Sequence, residues 1–266
     1  MGQTMQKSWY LIVAALSLVL LAPSPMAAQP PTTTFDLTGV GSGTVLAGVY
    51  TSPYSGNIDG GSTIPVICDD FADESYVPES WTAYVTQASS LTSGTPDSYL
   101  KWLGSGSTIS VDGYNLNQEE AYTVAAVLAV DIVTSSGEAQ EDYSFALWDL
   151  FDPPNAVDQL DAYKDYTDAT NAMNDLNSAV SYAFNAAIAS QVQADVNAVT
   201  IYTYDASAGA PTGACSPTCP PPQEFLTVSM PEPASPALLG LDLLGVAGLI
   251  LFARRRLARA ATSTRS

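Results

Sequence analysis

From Asn155 to Val192 the chain runs 38 residues without a single Gly or Pro. Within that stretch Met173, Leu176, Val180, Phe184, Ile188 and Val192 recur at spacings of three and four, which predicts one long apolar helix stripe facing a core. The residues on either side are of the opposite kind. Phe35 to Val40, Thr44 to Tyr54 and Thr63 to Cys68 are rich in β-branched and aromatic residues and punctuated by glycines. Beyond Asn197, Val199, Ile201 and Thr203 would share one face of a strand, with Thr200, Tyr202 and Tyr204 on the other. Strand formers at both ends and helix formers between them predict an α+β fold, with an antiparallel β-sheet and helices from the middle of the chain packed on it. The alternative is a small helical bundle inserted between two sheet-forming halves. No internal repeat is evident.

Shorter signals fill in the order. Ser55-Gly56-Asn57 and Asp59-Gly60-Gly61 read as a turn, and Pro78 to Ser110 reads as a short strand plus loop around Trp81, Tyr84 and Val85. Asn117 followed three residues later by Glu120 has capping-box spacing, ahead of the apolar run Ala121 to Val133. A second helix spans Tyr143 to Phe151 and stops at Pro153-Pro154. Phe225 to Val228 closes the domain as a last strand.

Charge excludes several functions. The 266 residues carry 8 Lys and Arg, 27 Asp and Glu and no His. Between 29 and 233 there are two lysines, Lys101 and Lys164, against 26 acids, a net charge of −24. A basic nucleic-acid footprint is therefore excluded for want of residues. Without His, the Ser-His-Asp and Cys-His arrangements and any His-based metal site are also excluded. Paired carboxylates could still serve a glycosidase, but none stands in a recognisable motif. The densest acidic run, Asp69, Asp70, Asp73 and Glu74, lacks the ligand order of an EF-hand and reads as a solvated loop after a strand. Catalytic residues, cofactors and a metal site are accordingly not expected. Cys215 and Cys219 lie close together in a Pro-rich loop, where a local disulfide is plausible if the chain is exported. Cys68 is left over.

The two ends carry the addresses. Lys7, the apolar run Trp9 to Ala22 and the small residues up to Ala28 have the three parts of a secretory signal peptide, which predicts Sec export and signal-peptidase cleavage after Ala28. At the other end, Pro231-Glu232-Pro233 is followed by the apolar run Ala237 to Ala253 and by Arg254-Arg255-Arg256. The run is about 17 residues and contains Asp242, so it is a short and marginal transmembrane helix, with the arginines holding its end in the cytoplasm. This order resembles the PEP-CTERM sorting signal of exported proteins in Gram-negative bacteria that make exopolysaccharide. The resemblance implies processing by exosortase at Pro231-Glu232-Pro233, transient residence in the inner membrane, and delivery to the cell surface or the exopolysaccharide matrix. The expected organisation is a signal peptide at 1–28, an acidic exported domain at 29–229 and a sorting signal at 230–258.

A second resemblance concerns the domain itself. The strand ending at Cys68 and the later string Ala146-Leu147-Trp148 are similar to parts of the thioester adhesin domains of Gram-positive surface proteins. In that family a Cys bonds covalently to a Gln shortly before an Ala-aliphatic-Trp string. Here Ser144 stands where that Gln would, so no internal thioester forms at the pair; Gln140 is nearby but out of register. The expectation is a non-enzymatic surface or matrix protein, the alternative being an adhesion or carbohydrate-binding module that stacks exposed Tyr and Trp on sugars.

Overall fold

In a computed structural model the chain is described for residues 29–229, apart from Thr95 and residues 216–218. The signal peptide, the sorting motif and the basic stop lie outside the described residues. Eleven strands and five α-helices follow in order among the described residues: β1 Thr32–Gly39, β2 Val45–Leu46, β3 Val49–Tyr50, β4 Tyr54–Ile58, β5 Ile64–Cys68, β6 Glu79–Gln87, β7 Ile109–Val111, β8 Tyr114–Leu116, α1 Gln118–Thr134, α2 Glu138–Phe151, α3 Asn155–Ala162, α4 Tyr166–Ala183, α5 Ala189–Ala198, β9 Val199–Tyr204, β10 Thr212–Gly213 and β11 Phe225–Val228. The fold is α+β, as the residue types require.

The expected antiparallel sheet closes on itself. Strands run β1-β4-β5-β11-β9-β6, all antiparallel, and β6 pairs back onto β1 with Phe35 opposite Trp81. Closure into a six-stranded barrel leaves neither end of the sheet unpaired, which removes the edge liability of a sheet whose outer face would otherwise be open. The stretch from Pro78, expected as a short strand with loop, contains β6, which at nine residues is the longest strand. Alternation sorts the side chains. Val66 and Cys68 of β5, Phe225 of β11 and Tyr202 of β9 point into the barrel with Phe35, Leu37, Trp81 and Ala83. The Phe35 ring lies 4.8 Å from Trp81 and 5.3 Å from Phe225, so stacked aromatics fill the lumen.

The opposite set, Ile67, Leu226, Val199 and Ile201, belongs to a core shared with α1, α2, α4 and α5. Helices from the middle of the chain thus cover one outer side of the barrel. α1 starts as its sequence specifies: the Asn117 side chain accepts the Glu120 N–H at 3.1 Å and the Glu120 carboxylate accepts the Asn117 N–H at 2.9 Å. The single stripe from Met173 to Val192 does not hold. The chain leaves the helix at Phe184, and the Asn185 side chain accepts the Ala187 N–H to start a new turn. Leu176, Val180 and Val192 remain buried, while Met173 and Phe184 are exposed.

Two turns also differ. Ser55, Gly56 and Asn57 lie inside β4, not in a turn, because a Cβ at Gly56 would come within 3.0 Å of both Asp36 O and Val66 Cγ1. Thr44 to Tyr54 is not one strand, since Ala47 and Gly48 take positive φ and fold β2 back on β3. Among the described residues, no helix is long and apolar enough to cross a membrane.

Candidate functional site

The segment after β5 is not a solvated loop. Asp69 and Asp70 are fully buried. The Asp70 carboxylate accepts N–H groups from Ala72 at 3.0 Å and Asp73 at 3.2 Å, the local turn that Asp favours. Lys101 reaches into the same place and pairs with Asp70 and Asp73. Burial works against the ammonium charge, but hydrogen bonds and charges from the two aspartates outweigh it and raise the Lys101 pKa. The cation of this acidic run is thus supplied by the chain.

A second pair of acids lies beside it. Glu224, just before β11, accepts the Tyr122 and Thr203 hydroxyls and the Lys101 N–H. Among the described residues neither oxygen of Asp69 accepts an N–H or O–H, and its carboxyl faces that of Glu224 closely enough to share a hydrogen bond. Burial first, then the charges of Glu224 and Asp70, push the Asp69 carboxyl well above the usual carboxylate range. Two acids thus share one dry site, and burial opposes the ionisation of both. Both are closed to solvent, at the joint between barrel and helices.

Above this cluster opens a groove of about 820 Å³. Tyr50, Tyr54, Phe71, Tyr76 and Trp148 form its aromatic walls, and Asp73, Glu74, Gln159 and Gln223 supply polar groups. Tyr50 and Tyr76 are 50% and 38% exposed, so ring surface faces solvent there. The walls are held from several sides. Tyr54 donates its hydroxyl to Tyr50 O at 2.6 Å, Gln159 Nε2 ties the β2–β3 turn to α3 through Ala47 O at 2.9 Å, and the Tyr76 hydroxyl donates to Glu74 at 3.0 Å. Gln223 Nε2 donates to Asp70 O, joining the groove floor to the buried cluster. Flat apolar faces thus stand beside carboxylates and amides along one groove.

Cys68 sits under the groove. Its carbonyl accepts Trp148 Nε1–H at 2.9 Å, so the Cys68 strand and the Ala146-Leu147-Trp148 string do meet. Ser144 does not reach the sulfur. Ser52 lies between them: its Oγ accepts the Cys68 N–H at 3.0 Å, and its own N–H donates to Ser144 Oγ at 3.2 Å. Gln140 turns away and donates to Ile132 O and Ser135 O, clamping the α1–α2 turn. Burial, then the charges of Asp70 and Asp69, raise the Cys68 thiol well above its ordinary value. Burial thus disfavours its thiolate, the form that acts as nucleophile or metal ligand.

Cys215 and Cys219 are joined as a disulfide beside Glu79. Pro231, Glu232, Pro233, Arg254, Arg255 and Arg256 lie outside the described residues. The residues that sequence reasoning did not single out are Tyr50, Tyr76, Gln159, Gln223 and Glu224. They come from four separate places in the chain, Gln223 and Glu224 being neighbours, and no spacing joins the four.

No protein-family profile matches the chain, and no curated protein matches it. Among solved structures, the N-terminal thioester domain of fibronectin-binding protein SfbI from Streptococcus pyogenes is similar over 79% of this chain and 98% of that domain, at 12% identity and a TM-score of 0.39. A likeness at that level carries nothing about activity.

Proposed function

We propose that the chain is a non-enzymatic exported protein of the cell surface or exopolysaccharide matrix, sorted and processed by exosortase at Pro231-Glu232-Pro233. The observation that carries this reading is the order of the last segment: Pro-Glu-Pro, a marginal apolar run and three arginines. Export through the Sec translocon, removal of the leader by signal peptidase and a stop in the inner membrane follow from the same reading. The Cys215–Cys219 disulfide is compatible with an oxidising destination. The absence of His, the buried Cys68 thiol and the closed Asp69–Glu224 pair support a non-enzymatic role. Replacing Pro231, Glu232 and Pro233 with alanine should leave a full-length protein in the inner membrane of a host that makes exosortase. Normal processing and release of that variant would refute the assignment.

A second reading is favoured by the groove: the domain is an adhesion or carbohydrate-binding module. Neutral glycans would stack on Tyr50 and Tyr76 and hydrogen-bond to Glu74, Gln159 and Gln223. A glycan array probed with the full chain in mild detergent separates the two. A selective neutral-glycan signal supports binding, and no selective signal leaves a structural matrix role.

A further inference from the structure

A different acidic cluster lies away from the groove, where α2 packs along α4. Glu138 and Asp142 are one turn apart on α2, and Asp168 is in the first turn of α4. One carboxylate oxygen from each comes within 4.8 Å of the others. Acids at helix starts are favoured by the helix dipole, which accounts for Glu138 and Asp168 without any ligand. It does not account for Asp142, which is one turn further in and only 5% exposed. Asp142 Oδ2 accepts an N–H from Asn171 at 3.1 Å, but Oδ1 is buried with no hydrogen-bond partner among the described residues. A buried carboxylate oxygen without a partner is costly and rare in a native fold.

The chain's own cations do not answer it. Lys101 is committed to Asp70 and Asp73, and Lys164 makes no ion pair among the described residues. We propose that Glu138, Asp142 and Asp168 form a calcium site in which the orphaned Asp142 oxygen is a ligand. The donors are all hard carboxylate oxygens, with no nitrogen or sulfur, which suits Ca²⁺ over zinc or copper. Exposed Glu138 leaves the entry open to solvent and to ligand waters, which would complete a coordination of six to eight. Bound calcium would pin α2 to α4 at the end of α2 opposite Trp148.

The test is thermal melting of the full chain in mild detergent, stripped with EDTA and then given 10 mM CaCl2 or NaCl of the same ionic strength. Extracellular sites of this kind bind on the order of 10⁻⁴ M, so calcium would stand about a hundredfold above Kd and raise Tm by roughly 5–10 °C. NaCl should give much less, since it only screens the acidic surface. Asp142→Asn keeps the shape and the Asn171 neighbour and should lose most of the calcium shift while still melting cooperatively in EDTA. Glu138→Gln, at an exposed position, should fold normally and need about tenfold more calcium for the same shift. A calcium shift no larger than the NaCl shift overturns the proposal. So does a full calcium shift retained in both variants.

Discussion

Asp69 illustrates how a single residue type can be read correctly for charge and wrongly for place. Four acids in six positions look like a solvated loop, yet Asp69 and Asp70 are buried, and Lys101, far along the chain, turns in to pair with Asp70. Only the fold could bring that lysine there, so no local spacing announced it. The raised Asp69 carboxyl has a definite consequence for stability. Its folded pKa lies above the unfolded value near 4, so the stability it contributes is present below about pH 4 and lost as pH rises toward the folded value. Asp69→Asn, whose amide donates to Glu224 without needing a proton, should flatten the fall in stability above pH 4. Urea melts at several pH values between 4.5 and 8 check it, and an unchanged slope would count against a raised Asp69 carboxyl. Lys101→Met leaves Asp70 as a buried carboxylate without its cation. That variant should lose about 3 kcal/mol in urea melts at pH 7, and a loss under about 1 kcal/mol would show that the pair contributes little.

At the scale of elements, what was legible was local. The Asn117–Glu120 box starts α1 in the expected place, and Asn117→Ala should cost about 1 kcal/mol of stability by denaturant melting. β11 and the two-sided pattern of β9 were also readable, because alternation writes both faces into adjacent residues. What failed was long-range or conformational. The apolar spacing from Met173 to Val192 continues through Phe184-Asn185, where the backbone leaves the helix. Apolar spacing records which residues are buried and does not record where the axis breaks. Gly56 looked like a turn residue but serves a close approach between strands. Closure of β1 onto β6 depends on pairing residues nearly fifty positions apart, and neither strand's own sequence specifies its partner.

The described part of the molecule is an acidic barrel with a helical flank, and the proposed addresses lie in the two terminal segments outside it. Its net charge of −24 between residues 29 and 233 repels anionic polymers. If the groove binds a neutral glycan, Tyr50→Ala and Tyr76→Ala should each weaken that binding about tenfold through loss of stacking. Circular dichroism of the same variants should be unchanged. Equal affinity in both variants would move the binding surface elsewhere. The central claim concerns destination, and fractionation of the native host with mass spectrometry of both mature termini tests it most directly. The account predicts a surface or matrix protein that begins at Gln29 and ends at or near Pro231-Glu232-Pro233. An intact 266-residue chain recovered from the cytoplasm would contradict it.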